Sequence, residues 1–120
     1  MEKSPIVVLV TTSNKEEAEK IARSLLDKRL IACANMIGPV HSFFWWAGKV
    51  ENAEEYLLLM KTRRDLFDKL CERVKALHSY EVPEIIAISI VEGFKPYIEW
   101  LNHSLRYFSQ EHVNGGVNLQ

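Results

Sequence analysis

The side chains able to do chemistry are few and scattered. Two thiols, Cys33 and Cys71, stand far apart in unrelated contexts, Cys33 in the run Ala32-Cys33-Ala34-Asn35 and Cys71 on an apolar helical stripe. A thiolate can ligate a soft metal or attack an electrophile, but a free cysteine more often packs as a small hydrophobe. That second reading is preferred for both. The four histidines, His41, His78, His103 and His112, lack the spacing that sets two imidazoles on one helix face or joins them to paired thiolates. His78 closes a helical stripe, where a cation favours the negative end of the helix. As a metal ligand it would need partners, and Glu81 and Glu84 are the nearest in sequence. Those two acids could share a proton as a catalytic pair, yet loop carboxylates beside a proline are usually just solvated. No Gly-x-Ser-x-Gly elbow, phosphate-cradling glycine loop or His-Glu zinc helix is present. No enzyme is expected.

Bulk properties narrow the partners. At 120 residues, 48% apolar and 26% charged, the chain suits one soluble globular domain. A formal net charge of −1 without a basic stripe argues against nucleic acid or an anionic membrane as partner. The longest apolar runs, Ile6–Val10 and Tyr56–Met60, are far too short to span a bilayer. With no secretory h-region at the N-terminus and no disulfide framework, a cytoplasmic address with reduced thiols is expected.

The elements that must position these groups follow from hydrophobic period. Ile6–Val10 is apolar at every position and reads as a strand buried on both faces. Ser13 and Glu16 stand at capping-box spacing ahead of Ala18, Ile21, Ala22, Leu25 and Leu26, a helical stripe. Leu30–Ile37 and Val40–Trp46 are extended runs interrupted by Gly38-Pro39, where a bulge is expected rather than a reversal. Ala47-Gly48-Lys49 reads as a hairpin turn into a strand that ends at Met60. A second helix carries Leu66, Phe67, Leu70, Cys71, Val74 and Leu77, with Cys71 in the core, and a loop follows from His78 to Pro83. Ile85–Ile90 forms a fourth strand and Pro96–Leu105 a short final helix. The fold class is α+β: a ferredoxin-like βαββαβ sandwich with an extra C-terminal helix, one domain over residues 1–105. A polar tail, 106–120, is expected to be partly disordered. Right-handed crossovers place both long helices on one face of the sheet, so the other face needs a cover.

The β2–β3 hairpin is too long for its own domain. Ile31 to Trp46 in extended form runs roughly 50 Å, whereas a domain of this length is about 35 Å across. Its far end is Phe43-Phe44-Trp45-Trp46, with Phe43 and Trp45 on one face and Phe44 and Trp46 on the other. Rings on both faces of a protruding ribbon invite aggregation unless another chain covers them. Filling the parent domain's own core is the alternative use. The preferred expectation is an interface in which the ribbon docks on a neighbour and a cyclic arrangement closes.

The stretches Thr11-Thr12, Ala32-Cys33-Ala34-Asn35, Trp45-Trp46-x-Gly48-Lys49-Val50-Glu51, Lys61-Thr62-Arg63, His78-x-Tyr80-Glu81-Val82-Pro83-Glu84 and Tyr97-Ile98-x-Trp100-Leu101 fall in one register from about Ile6 to Leu105. In that set and order the chain resembles the CutA divalent-cation-tolerance proteins. The resemblance implies a ferredoxin-like homotrimer, similar in build to PII signalling proteins, linked to tolerance of divalent metals, copper especially. Members with a described copper site look to a cysteine at the end of strand one and two adjacent histidines before the Tyr-Glu-Val-Pro loop. Here those positions are Thr11, Leu77 and His78, and a threonine is a poor ligand for a soft ion. The family's proline after the histidine is Ser79, and its Pro-Gly appears as Gly38-Pro39. Fold and assembly carry over; a copper site at those three positions does not.

The expected functional surface is therefore a cleft between subunits, formed by Lys61, Tyr80, Glu81 and Glu84 with Cys33 and Trp46. That mixture of charge, hydrogen-bonding groups and an aromatic wall suits a small polar ligand or an ion. No cofactor is required; copper or another divalent cation is a candidate ligand, with His78 the candidate metal contact. The functional expectation is a trimeric binding or sensing protein of metal tolerance. Two alternatives are a non-catalytic trimeric scaffold for a protein partner and an RNA reader, and the latter lacks the aromatic–glycine strand motif.

Overall fold

Strand β1, Pro5–Thr12, alternates strictly between buried and half-buried positions. Ile6, Val8 and Val10 turn toward two helices, while Val7, Leu9 and Thr11 point to the opposite face. This is the first departure from expectation. The all-apolar run suggested burial on both faces, and within one chain only one is fully covered. The computed structural model describes residues 3–106, and continues β1 with α1 (Lys15–Asp27), β2 (Cys33–Trp46), β3 (Lys49–Arg63), a 3-10 turn (Arg64–Leu66), α2 (Phe67–Leu77), β4 (Ile85–Ser89) and α3 (Lys95–Ser104). The expected polar tail lies outside the described residues from 107 onward.

The four strands form one sheet in the order β2-β3-β1-β4, every neighbouring pair antiparallel. The two apolar strands are thus central, as their composition required. The core lies between the sheet and α1 and α2. Ala18, Ile21 and Leu25 from α1 and Leu70 and Val74 from α2 meet Val8, Val10, Leu58 and Met60 there. Each fully buried aliphatic side chain contributes about 1.5–3 kcal/mol. Cys71 sits at the flank of that stripe, half-buried rather than in the core, because Leu70 and Val74 occupy the inward arc of α2.

Helix α1 begins one residue later than the capping signal suggested. Asn14, not Ser13, is the N-cap: its backbone is extended, and its Oδ1 accepts the Glu17 N–H at 2.8 Å. At the other end Leu30 and Ile31 are buried but lie ahead of β2, whose ladder starts with Cys33 opposite Lys61.

At Gly38-Pro39 the β2–β3 register shifts, from Ile37 opposite Leu57 to Val40 opposite Glu55. Two residues of β2 thus stand against Tyr56 alone, which is the expected bulge. The peptide bond between Gly38 and Pro39 is cis. A Cβ at position 38 would lie 2.5 Å from Cδ2 of Tyr56, so the ring occupies the space a side chain would need. Beyond the bulge the two strands run on together to Trp46 and Lys49. They are joined by Ala47 at φ 51° and Gly48 at φ 80°, the left-handed pair of a type I′ turn. The longest dimension of the molecule is 52 Å against 29 and 24 Å for the others, so the ribbon does overrun its domain.

Its tip is bare. Phe43, Trp45 and Trp46 are 71%, 75% and 70% exposed. They do not fill the parent core. The open sheet face is apolar as well: Ile86 and Ile88 of edge strand β4 stand beside Leu9 and Val7, and Leu59 and Leu57 extend the surface across β3. Helix α3 packs against β3 and seats Leu101 in the core, and Leu105, its C-cap residue, is buried there too. Among the described residues no helix is long and apolar enough to cross a membrane.

Candidate functional site

Strand pairing assembles one polar cluster on the open face. Cys33 and Lys61 are Cα partners in the β2–β3 ladder, and Asn35 is two residues on, on the same side of β2. Lys61 Nζ donates to Asn35 Oδ1 at 2.8 Å and lies 3.6 Å from Cys33 Sγ. Tyr97 reaches the same sulfur from α3. Burial, then the neighbouring Cys33, pushes its phenol above the ordinary value. Its ring packs on Trp100 at a centroid distance of 5.3 Å, so α3 walls off one side of the cluster.

A second network gathers at the other end of β1. His78, buried beneath the loop after α2, uses both ring nitrogens: Nε2–H donates to the Thr11 carbonyl at 2.7 Å, and Nδ1 accepts the Tyr80 N–H at 3.0 Å. Glu17 of α1 pins the same loop, accepting from Ser79 N and Ser79 Oγ at 2.7 and 2.8 Å. Tyr80 Oη donates to the carboxylate of Glu55 at 2.6 Å. Burial raises the Tyr80 phenol well above its usual value, reinforced by that hydrogen bond and by the charges of Glu55 and Glu17. Glu81 and Glu84 are exposed on the loop leading to β4.

The six residues read as one cleft are thus in three places within a single chain. Cys33 and Lys61 lie at the base of the sheet; Tyr80, Glu81 and Glu84 belong to the loop at its opposite end. Trp46 is a whole strand away at the ribbon tip, roughly 40 Å from Cys33 at about 3.3 Å per residue. Sequence reasoning left out Asn35, Glu17 and Glu55 as partners. Period-two alternation could have placed Asn35 beside Cys33, but nothing local pairs Glu55 with a tyrosine twenty-five positions on.

Copper does not fit the three positions named for it within one chain. Leu77 has no donor atom in its side chain, the Thr11 carbonyl already accepts from His78, and neither nitrogen of His78 has a free lone pair. Among the described residues, no three His, Cys, Asp or Glu side chains are grouped to hold a metal ion.

Comparison with known proteins places this geometry. The family model described as CutA1 divalent ion tolerance protein matches residues 6–104. The divalent-cation tolerance protein CutA of Archaeoglobus fulgidus is 44% identical over 98 residues, covering 82% of this chain and 95% of its own length. The chloroplastic protein CutA 1 of Oryza sativa is 48% identical over 101 residues; the match takes in 84% of this chain but 57% of that longer protein. In three dimensions, the Cut A1 divalent cation tolerance protein of Thermus thermophilus superposes with a TM-score of 0.84 at 45% identity, over 85% of this chain and 99% of that one. The same four-stranded antiparallel sheet carries the same three helices, and this chain belongs to the CutA1 divalent ion tolerance family.

Proposed function

We propose that the chain is the subunit of a non-catalytic, cytoplasmic homotrimer that binds or senses a small ligand or ion in divalent-metal tolerance. One observation carries the assembly: an apolar sheet face and an aromatic ribbon tip, both uncovered in the single chain. Exposed apolar area on that scale is costly, at about 25 cal/mol per Å², and cyclic self-association is the simplest way to remove both surfaces together. The chain's relatives, divalent-cation tolerance proteins, support the metal-tolerance role.

In this reading the cleft is composite. A neighbour's ribbon carries its Trp46 toward the polar groups of the sheet, where Cys33 and Lys61 at one end, or Tyr80, Glu81 and Glu84 at the other, meet the ligand. Because the described residues of one chain do not group three such donors, a divalent cation such as copper would draw its donors from two chains. Glu81 and Glu84, exposed and acidic, are suited to that.

Light scattering on a size-exclusion column, with and without copper, tests the assembly, and calorimetric titration with copper, zinc and small anions tests the ligand. The expected outcome is a mass of three subunits in both runs and saturable heat with at least one titrant. A monomer overturns the assembly and the cleft together. A trimer silent to every titrant leaves the scaffold reading in its place.

A further inference from the structure

Cys33 and Lys61 are paired within one chain, so their juxtaposition does not depend on the assembly. The lysine is held in place: Asn35 Oδ1 accepts from Nζ at 2.8 Å and lies 4.0 Å from Cys33 Sγ. With Nζ only 3.6 Å from the sulfur, a nitrogen that becomes nucleophilic once it loses a proton stands fixed beside an oxidisable thiol. Pre-alignment of this kind turns a slow bimolecular encounter into a fast intramolecular one. The thiol is half-buried, so a small oxidant can still reach it.

We propose that Cys33 and Lys61 form a peroxide-responsive covalent switch, a sulfenamide bond tying β2 to β3. The ionised Cys33 thiolate attacks one oxygen of hydrogen peroxide, and the O–O bond breaks. Sulfur becomes a sulfenic acid, oxidised by two electrons, and hydroxide leaves. That hydroxide takes a proton from the Lys61 ammonium, giving water and a neutral amine. The amine lone pair then attacks sulfur, the S–O bond breaks, and the departing hydroxide takes a second proton from nitrogen. The sum is thiolate, ammonium and peroxide giving one S–N bond and two waters. Bridging removes the positive charge of Lys61 and draws its nitrogen away from Asn35, changing the polar end of the open face. Added thiol reverses it: one thiolate attacks sulfur and releases the amine, and a second frees Cys33 from the mixed disulfide.

The full chain is treated with hydrogen peroxide, and intact mass, titratable thiols and peptide maps are read before and after dithiothreitol. The expected product has lost two hydrogens and gained no oxygen, and its free thiols fall from two to one. Peptides bearing Cys33 and Lys61 are joined in the map, and dithiothreitol restores the starting mass. A Cys71→Ser variant, which cannot form a disulfide within the chain, gives the same two-hydrogen loss. Lys61→Arg, which keeps a cation at the site, accumulates Cys33 sulfenic or sulfinic acid instead. Oxygen-bearing Cys33 alone in the wild-type chain, or the same two-hydrogen loss in Lys61→Arg, overturns the proposal. The wild-type peptide map decides the matter even if a variant folds poorly.

Discussion

Tyr80 Oη and the Glu55 carboxylate stand 2.6 Å apart, the length of a charge-assisted hydrogen bond, and Glu55 is buried. Removing the hydroxyl strands a carboxylate away from water, so Tyr80→Phe is expected to cost about 1–3 kcal/mol in urea unfolding near neutral pH. The pH dependence has a definite sign. The folded-state phenol is raised above its ordinary value of 10.0, first by burial and then by Glu55, so folding favours the protonated form. That contribution is intact below the unfolded value and is lost progressively as pH rises above it. Stability of the wild-type chain should therefore fall on going above pH 10, and Tyr80→Phe should flatten that limb; equal slopes in the two proteins would show the bond is unimportant. None of this was legible residue by residue. Tyr80 stands out because it sits in a loop motif, but its partner Glu55 is on β3, and pairing across the fold leaves no local trace. Cys33 and Lys61 are the opposite case, since one strand's alternation and one hairpin register are enough to make them neighbours.

Elements follow from periodicity more faithfully than contacts do. Central strands, helical stripes, the bulge and the hairpin turn were all readable because each has a local cause: apolar runs, a 3.6-residue period, Gly38-Pro39, and Gly48 at positive φ. The N-cap differs by one residue from the sequence expectation because Ser13 and Asn14 are both good caps, and only backbone geometry chooses between them. The choice has a measurable consequence. Asn14→Ala is expected to lower stability by about 1 kcal/mol, whereas Ser13→Ala should be close to neutral; a thermal melt of the pair in which Ser13→Ala is the worse variant would return the cap to Ser13. The bulge makes a firmer demand. A methyl at Gly38 meets the Tyr56 ring at 2.5 Å, and the ring or the strand must shift, so Gly38→Ala is expected to cost about 1–3 kcal/mol. Gly48→Ala differs in kind: nothing lies within 4 Å of its Cβ position, and any penalty comes from its positive φ alone.

At the scale of the whole molecule, the half-covered β1 and the bare ribbon tip have one physical meaning. The sequence of β1 predicts burial on both faces, and Val7 and Leu9 are apolar accordingly; a single chain leaves that side to be covered by something else. If three copies supply the cover, folding and assembly are one equilibrium, and mass action sets the stability. Three chains entering one trimer lose two independent partners, so each tenfold dilution should remove about 0.9 kcal/mol per subunit. For a domain of this size that is a fall in Tm of roughly 3–4 °C per decade of concentration. Trp46→Ala removes a ring that the monomer core does not use, since it is 70% exposed. It should therefore lower the Tm of the assembly, and steepen dissociation on dilution, without altering the far-UV spectrum of the folded chain. A melting point independent of concentration, and unmoved by Trp46→Ala, would mean that the ribbon rings carry no assembly energy. The apolar face would then need a cover other than further copies of this chain.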